Sequence, residues 1–151
     1  MGINDGRPVA HAAERLARII VTAIESPQDL RTLAQWGRYV GLSSSTVKSW
    51  CAAAGERPKH VLDLTRLLRA KHHLERNERL TLLEVLDIVD RRTATRLLHR
   101  AGIADMKELT RFSTEELIKY HARRAGVSTA DALLELMASR RLEKTPSHRP
   151  R

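Results

Sequence analysis

The chain has 151 residues, of which 27 are Lys or Arg and 18 are Asp or Glu, so its formal net charge is +9. Hydrophobic residues make up 42% and aromatic residues 3%, which is typical of helices rich in Leu and Ala and argues against a β-sandwich. A single cysteine, Cys51, excludes a disulfide framework and a cysteine-based zinc site. No apolar run approaches about 18 residues and no signal-peptide core is present. We therefore expect a soluble, cytoplasmic protein without a membrane partner, whose charge favours a polyanion.

The positive charge is concentrated in two parts of the sequence. Residues 27–79 contain ten basic and five acidic residues, for a net charge of +5, and the last twelve residues contain five and one, for +4. Residues 104–139 have a net charge of −1, from five basic and six acidic residues. Only the first basic region has the apolar periodicity of a folded segment, so it is the better candidate for a specific surface.

The predicted elements begin with a flexible arm over residues 1–9, which are rich in Gly and lack an apolar period. An amphipathic helix is expected from Ala10 to Glu25, because apolar residues recur there every three or four positions. Ser26 is expected to cap a second helix, with Pro27 at its first position, that continues to Gly41.

The rest of the chain shows helical periods separated by capping residues, and no strand pattern. Ser43, Asp90, Ser113 and Ser128 are predicted N-caps, the last two as capping boxes with Glu116 and Asp131. We expect a disordered basic tail over 142–151. The predicted fold class is all-α, with further helices over 44–54, 58–76, 81–88, 91–101, 114–124 and 129–141.

The segment from Leu33 to Trp50 has the spacing of a helix-turn-helix. Gly37 supplies the small residue that close packing of the two helices needs, and Gly41 supplies a positive φ in the turn. The second helix would present four polar residues to the major groove of DNA. The alternative is an ordinary helical hairpin with a solvated face. The candidate base-reading residues are Ser44, Ser45, Lys48 and Ser49.

A second pattern, GxxPxxxLxxxRxxxAxxxL, follows directly from Gly55 to Leu74. Behind a helix-turn-helix, this pattern resembles the DNA-binding domain of the AraC/XylS family, over about residues 28–103. The resemblance implies a DNA-binding domain over residues 10–103. It would contain two helix-turn-helix units, at about 27–55 and 80–103, joined by a linker helix at about 58–76.

The second unit departs from that pattern, and we interpret it as degenerate. Its end, from Asp90 to Ile103, is similar to the end of a Fis-type helix-turn-helix. Alignment from Asp90 places Glu84 and Asp87 at positions that should be buried, unless the turn is one residue shorter. A cluster of polar residues on the second recognition helix favours guanine and phosphate contacts, with a solvated basic face as the alternative. The cluster consists of Arg91, Arg92, Thr95 and Arg96.

Three further cations, Arg57, Lys59 and Arg66, are candidates for phosphate positioning, although Arg66 could instead form a buried ion pair. Residues 104–141 are predicted to form a structural helical hairpin, with self-association or a protein-partner surface as the alternative. No pattern indicates a catalytic residue, a metal site or a cofactor, and a histidine pair on a basic helix is more often solvated.

The resemblance to the AraC/XylS family thus implies a stand-alone bacterial or phage regulator of transcription, without an effector-binding domain, that binds double-stranded DNA and associates with the nucleoid. It would not be an enzyme. Two alternatives remain open: a helical protein-interaction module that has lost DNA reading, and a sequence-independent nucleoid protein that depends on the basic tail.

Overall fold

The computed structural model describes residues 7–86, 90–124 and 127–144. All regular structure within these ranges is helical, as predicted. No helix in these ranges has the length and apolar character needed to cross a bilayer. In chain order the helices are α1 (Arg7–Ile24), α2 (Leu33–Val40), α3 (Ser44–Ala53), α4 (Pro58–Arg76), α5 (Leu82–Val85), α6 (Arg91–Arg100), α7 (Met106–Arg111), α8 (Thr114–Arg124) and α9 (Val127–Lys144).

The core is aliphatic, as the composition predicts, and α1 and α4 supply much of it. Helix α1 packs against α2, α3, α4 and α9, and its apolar stripe is buried along the helix. Trp36 is the one aromatic residue in the buried set among the described residues, and its Nε1 donates a hydrogen bond to the Ile19 carbonyl at 3.0 Å. This bond satisfies the only polar atom of the buried indole, so the ring fills the core without an unpaired donor.

Helix α4 is buried over residues 61–71, including several charged side chains. Asp63 accepts two hydrogen bonds from Arg100 on α6, at 3.0 and 3.1 Å. Arg66 donates two hydrogen bonds to Asp29, at 3.0 and 2.8 Å. Buried charges require such partners, so α4 connects the segment before α2 with α6 through its polar side chains as well as its apolar ones.

The segment before α2 is not helical where the sequence predicts a helix. The predicted cap, Ser26, is buried, and its hydroxyl bonds to the backbone of Gln28. Helix α2 begins instead at Leu33, and Thr32 is its N-cap, with a side chain that accepts from the Gln35 amide.

Side chains of α4 explain why this prediction is wrong. Arg69 donates to the carbonyls of Ser26 and Pro27, at 2.7 and 2.9 Å, and a ring nitrogen of His73 lies 2.9 Å from the Ser26 carbonyl. These carbonyls bond to side chains more than 40 residues away in the sequence, rather than to amides of a following helical turn. The tertiary contacts therefore override the local preference of Ser26 to cap a helix.

The two ends of the described chain also differ from prediction. Helix α1 begins at Arg7, so residues 7–9 are not part of an arm, and α9 extends to Lys144, so residues 142–144 are not disordered. The remaining arm and tail residues lie outside the described ranges. Helix α9 already includes Val127, so Ser128 is not its N-cap.

Other boundaries are partly confirmed. Ser43 and Asp90 cap α3 and α6, and Ser113 forms the predicted capping box with Glu116. Helix α5 ends at Val85, short of the predicted end at residue 88, and residues 87–89 lie outside the described ranges. Helix α7 was not predicted.

The C-terminal helices share the core of the rest of the chain. Helix α9 packs along α1 and against α8, and α8 packs against α4. Apolar residues of α8 and α9 are accordingly buried (Leu117, Ile118, Leu133) or half-buried (Leu134, Met137).

Candidate functional site

The close approach of α2 to the following turn depends on Gly37. Its carbonyl accepts a hydrogen bond from the Leu42 amide at 2.7 Å. A Cβ atom added at Gly37 would lie 2.5 Å from the Leu42 carbonyl oxygen and 3.3 Å from the Ser43 carbonyl carbon. Both neighbours are backbone atoms, so a side chain here would require the turn itself to move. The predicted need for a small residue is confirmed.

The turn between α2 and α3 has the conformation that the sequence predicts. Gly41 has φ = 79°, in the left-handed region that glycine adopts without strain. The Ser43 hydroxyl accepts a hydrogen bond from the Thr46 amide at 3.1 Å and caps α3. Val47, on the first part of α3, is fully buried. Three sequence features therefore act together to set α3 against α2.

Helix α3 divides into a buried face and a polar face. Val47 and Cys51 are fully buried. Of the four predicted reading residues, Ser44 is half-buried, whereas Ser45, Lys48 and Ser49 are exposed. The exposed face thus offers hydroxyl groups and one ammonium group, which suit hydrogen bonds to a polar partner.

A buried polar contact lies just beyond the end of α3. The Glu56 amide donates to the Cys51 carbonyl at 2.8 Å, and the Glu56 side chain is fully buried. Burial raises the pKa of the Cys51 thiol to about 12, and the negative charge of Glu56 acts in the same direction. The thiol therefore stays protonated at neutral pH and is not a nucleophile there.

Helix α6 exposes the whole predicted basic cluster. Arg91, Arg92, Thr95 and Arg96 are all exposed, while Ala94, Leu97 and Leu98 are buried. The three arginines form no ion pair with any other residue in the described ranges. Their guanidinium groups are therefore available to an anionic ligand.

The three candidate phosphate contacts have different outcomes. Arg57 and Lys59, at the start of α4, are exposed. Arg66 is buried in its two hydrogen bonds to Asp29, so its assignment to phosphate is wrong and the ion-pair alternative is confirmed. Glu84 is exposed rather than buried, and Asp87 lies outside the described ranges.

Some contacts around these helices were not predicted. The Arg15 guanidinium lies over the ring of Trp50, 5.7 Å from its centroid, and links α1 to α3 by a cation–π contact. Three further contacts also escaped prediction: the Asp63–Arg100 ion pair, the contact of His121 with Glu56, and the hydrogen bond from the Tyr120 hydroxyl to the Gly102 carbonyl. Their partners are 37, 65 and 18 residues apart, at spacings that no local pattern reveals.

No group of three or more His, Cys, Asp or Glu side chains within the described ranges is arranged to hold a metal ion. His72 and His73 contact each other edge to face, with ring centroids 5.4 Å apart.

The chain matches no protein-family model, no curated protein and no solved structure.

Proposed function

We propose that the protein is a sequence-specific DNA-binding regulator of transcription, in which α3 and α6 each contact one half-site in the major groove of double-stranded DNA. The proposal depends above all on the close approach of the Leu42 backbone to Gly37, where the Leu42 amide donates to the Gly37 carbonyl at 2.7 Å and an added Cβ atom would lie 2.5 Å from the Leu42 carbonyl oxygen. It holds α3 tightly against α2 while the polar side of α3 remains exposed. This is the arrangement that a recognition helix requires.

The charge distribution supports the same proposal. Lys48, Arg57 and Lys59 are exposed around α3 and the start of α4, within the region that has a net charge of +5. Each cation that neutralises a phosphate releases counterions from the DNA, which favours binding and makes it dependent on salt. Nucleoid association would follow from this affinity.

A random-oligonucleotide selection at about 150 mM salt tests the proposal, because specific binding must survive near-physiological ionic strength. We expect enrichment of a motif with two half-sites. Binding to the selected site should weaken with a log–log salt slope near −5 if about six phosphates are contacted. The absence of an enriched motif would contradict sequence-specific recognition.

A second candidate function, a protein-interaction module, is favoured by a groove of about 550 Å³ between α5, α6 and α7. Leu83, Leu98 and Met106 line it, and Met106 is 46% exposed. Flexible methionine side chains suit adaptable apolar contacts. A shallow salt slope combined with no enriched motif would favour this function over DNA reading.

A sequence-independent nucleoid protein is distinguished by deleting residues 142–151. Because residues 142–144 belong to α9, loss of all DNA binding would assign binding to the basic C-terminal residues when the variant keeps the urea-unfolding midpoint of the native chain. Retention of the selected motif would assign it to the helices.

A further inference from the structure

Two neighbouring residues of α8 contact the ends of both candidate reading helices. The Tyr120 hydroxyl donates a hydrogen bond to the Gly102 carbonyl at 3.0 Å, and Nε2 of His121 lies 3.0 Å from Oε1 of Glu56. Gly102 lies two residues beyond the end of α6, and Glu56 lies three residues beyond the end of α3. We call these two hydrogen bonds the α8 contacts.

The α8 contacts are shielded from water at the His121 end. The Glu56 side chain is fully buried and that of His121 is 10% exposed. Water therefore has little access to this hydrogen bond, and a buried carboxylate gains little from solvent when such a bond is broken. The Glu56 amide also donates a hydrogen bond to the Cys51 carbonyl on α3, so Glu56 is connected directly to that helix.

The Tyr120 end is connected to the turn that follows α6. Gly102 has φ = 79°, and the amide after it, of Ile103, donates to the Leu98 carbonyl at 2.8 Å, so the turn closes back on the helix. The ring of Tyr120 packs against Phe112, with centroids 5.7 Å apart. A packed ring with a hydrogen bond at its tip helps to fix where the end of α6 lies.

Helix α4 supplies a third connection at the same place. Asp63 accepts two hydrogen bonds from Arg100, the last residue of α6. A small cavity among α4, α6 and α8 is lined by Asp63, Arg100, Tyr120 and His121. The ends of α3 and α6 are therefore both held where α8 crosses α4.

We propose that Tyr120 and His121 are positioning residues that fix the separation of α3 and α6, and thereby determine the spacing between the two DNA half-sites that the protein accepts. The link to half-site spacing rests on the proposed function. The link between α8 and the two helices does not. Two reading elements held at a fixed distance bind together only to half-sites that match that distance, whereas loosely held elements tolerate several spacings.

The positioning is tested without DNA by pulsed electron paramagnetic resonance. Spin labels are placed on exposed positions of α3 and α6, with Ala52→Cys and Thr93→Cys in a Cys51→Ala background. We expect one narrow distance distribution, which broadens in the Tyr120→Phe/His121→Leu double variant. An unchanged distribution in a folded double variant would overturn the proposal.

Two further variants keep that test decisive. His121→Gln retains a donor for Glu56, so combined with native Tyr120 it should keep the narrow distribution. If the double variant does not fold because Glu56 has lost the hydrogen bond to His121, a triple variant with Tyr120→Phe, Glu56→Leu and His121→Leu removes both members of that bond together. Broadening in this variant, relative to the matched chain with His121→Gln, supports the role, and identical widths contradict it.

The consequence for DNA is measured on half-sites taken from the selected motif, at the selected spacing and with two base pairs inserted. The native chain should bind the selected spacing more tightly than the lengthened one. In the double variant, the ratio of the two Kd values should be smaller by on the order of tenfold. Its affinity for a single half-site should stay unchanged. Broadened distances with unchanged spacing discrimination would contradict the link to spacing. If the native chain binds no DNA, the proposed function fails, while the distance measurement still decides the role of α8.

Discussion

The close approach of α2 to the following turn determines whether Gly37→Ala stabilises or destabilises the protein, and by how much. In an unobstructed helix interior, Gly→Ala stabilises by about 1 kcal/mol. Here the new Cβ would lie 2.5 Å from the Leu42 carbonyl oxygen, and that atom belongs to a backbone already fixed by its hydrogen bond to Gly37. Overpacking of this kind costs about 1–3 kcal/mol, and we expect the upper part of that range because no flexible side chain can move aside.

The net result should be a loss of about 1–2 kcal/mol in the free energy of unfolding, because the steric cost exceeds the gain in helix propensity. Urea unfolding followed by tryptophan fluorescence would show this as a midpoint lowered by about 0.5–1 M with an unchanged m-value. Gly41→Ala is the matched control, since a Cβ there meets no atom within 4 Å and only the positive φ is unfavourable. A Gly37→Ala variant more stable than the native chain would refute the close approach.

Three other substitutions probe separate features of the molecule. Asp29→Ala should lower the free energy of unfolding by about 3–5 kcal/mol, because it leaves the buried Arg66 guanidinium unpaired, and an Asp29→Ala/Arg66→Met variant should recover part of the loss in urea unfolding. Burial and the charge of Glu56 raise the pKa of the Cys51 thiol from 9.0 to about 12. The unfolded chain therefore loses this proton at a lower pH than the folded chain, and the free energy of unfolding should fall as the pH rises from 9 towards 12. In urea titrations at several pH values, the free energy of unfolding should fall more steeply over that range for the native chain than for the Cys51→Ala variant. Equal slopes would contradict burial of the thiol. Arg96→Ala should weaken binding to the selected DNA by about 1–3 kcal/mol and relax base preference at one position, whereas the charge-matched Arg111→Ala on α7 should not, as measured by competition binding.

The sequence predicts the turn between α2 and α3 well because its determinants are local. A small residue at Gly37, a positive φ at Gly41 and a hydroxyl at Ser43 act within a few residues of one another. Such short-range chemistry is visible in a single sequence. The exposed arginines of α6 were found for the same reason, since helical periodicity separates them from the buried Leu97 and Leu98.

The failures have non-local causes. A helix was predicted to start at Pro27, but Arg69 takes the carbonyls of Ser26 and Pro27 from a distance of more than 40 residues. The contact of His121 with Glu56 spans 65 residues, and no spacing rule indicates it. Helix α7 has six residues, too few for a helical period to stand out.

The packing of α9 along α1 brings together the last and the first described helices. Its consequence concerns the order of events during synthesis. Until α9 leaves the ribosome, the apolar stripe of α1, which includes the fully buried Leu16 and Ile20, lacks one of its covering surfaces. Contacts between such distant parts of a chain also slow folding, because a long loop must close before they form. A nascent chain ending before α9 would therefore leave α1 partly uncovered and available to chaperones.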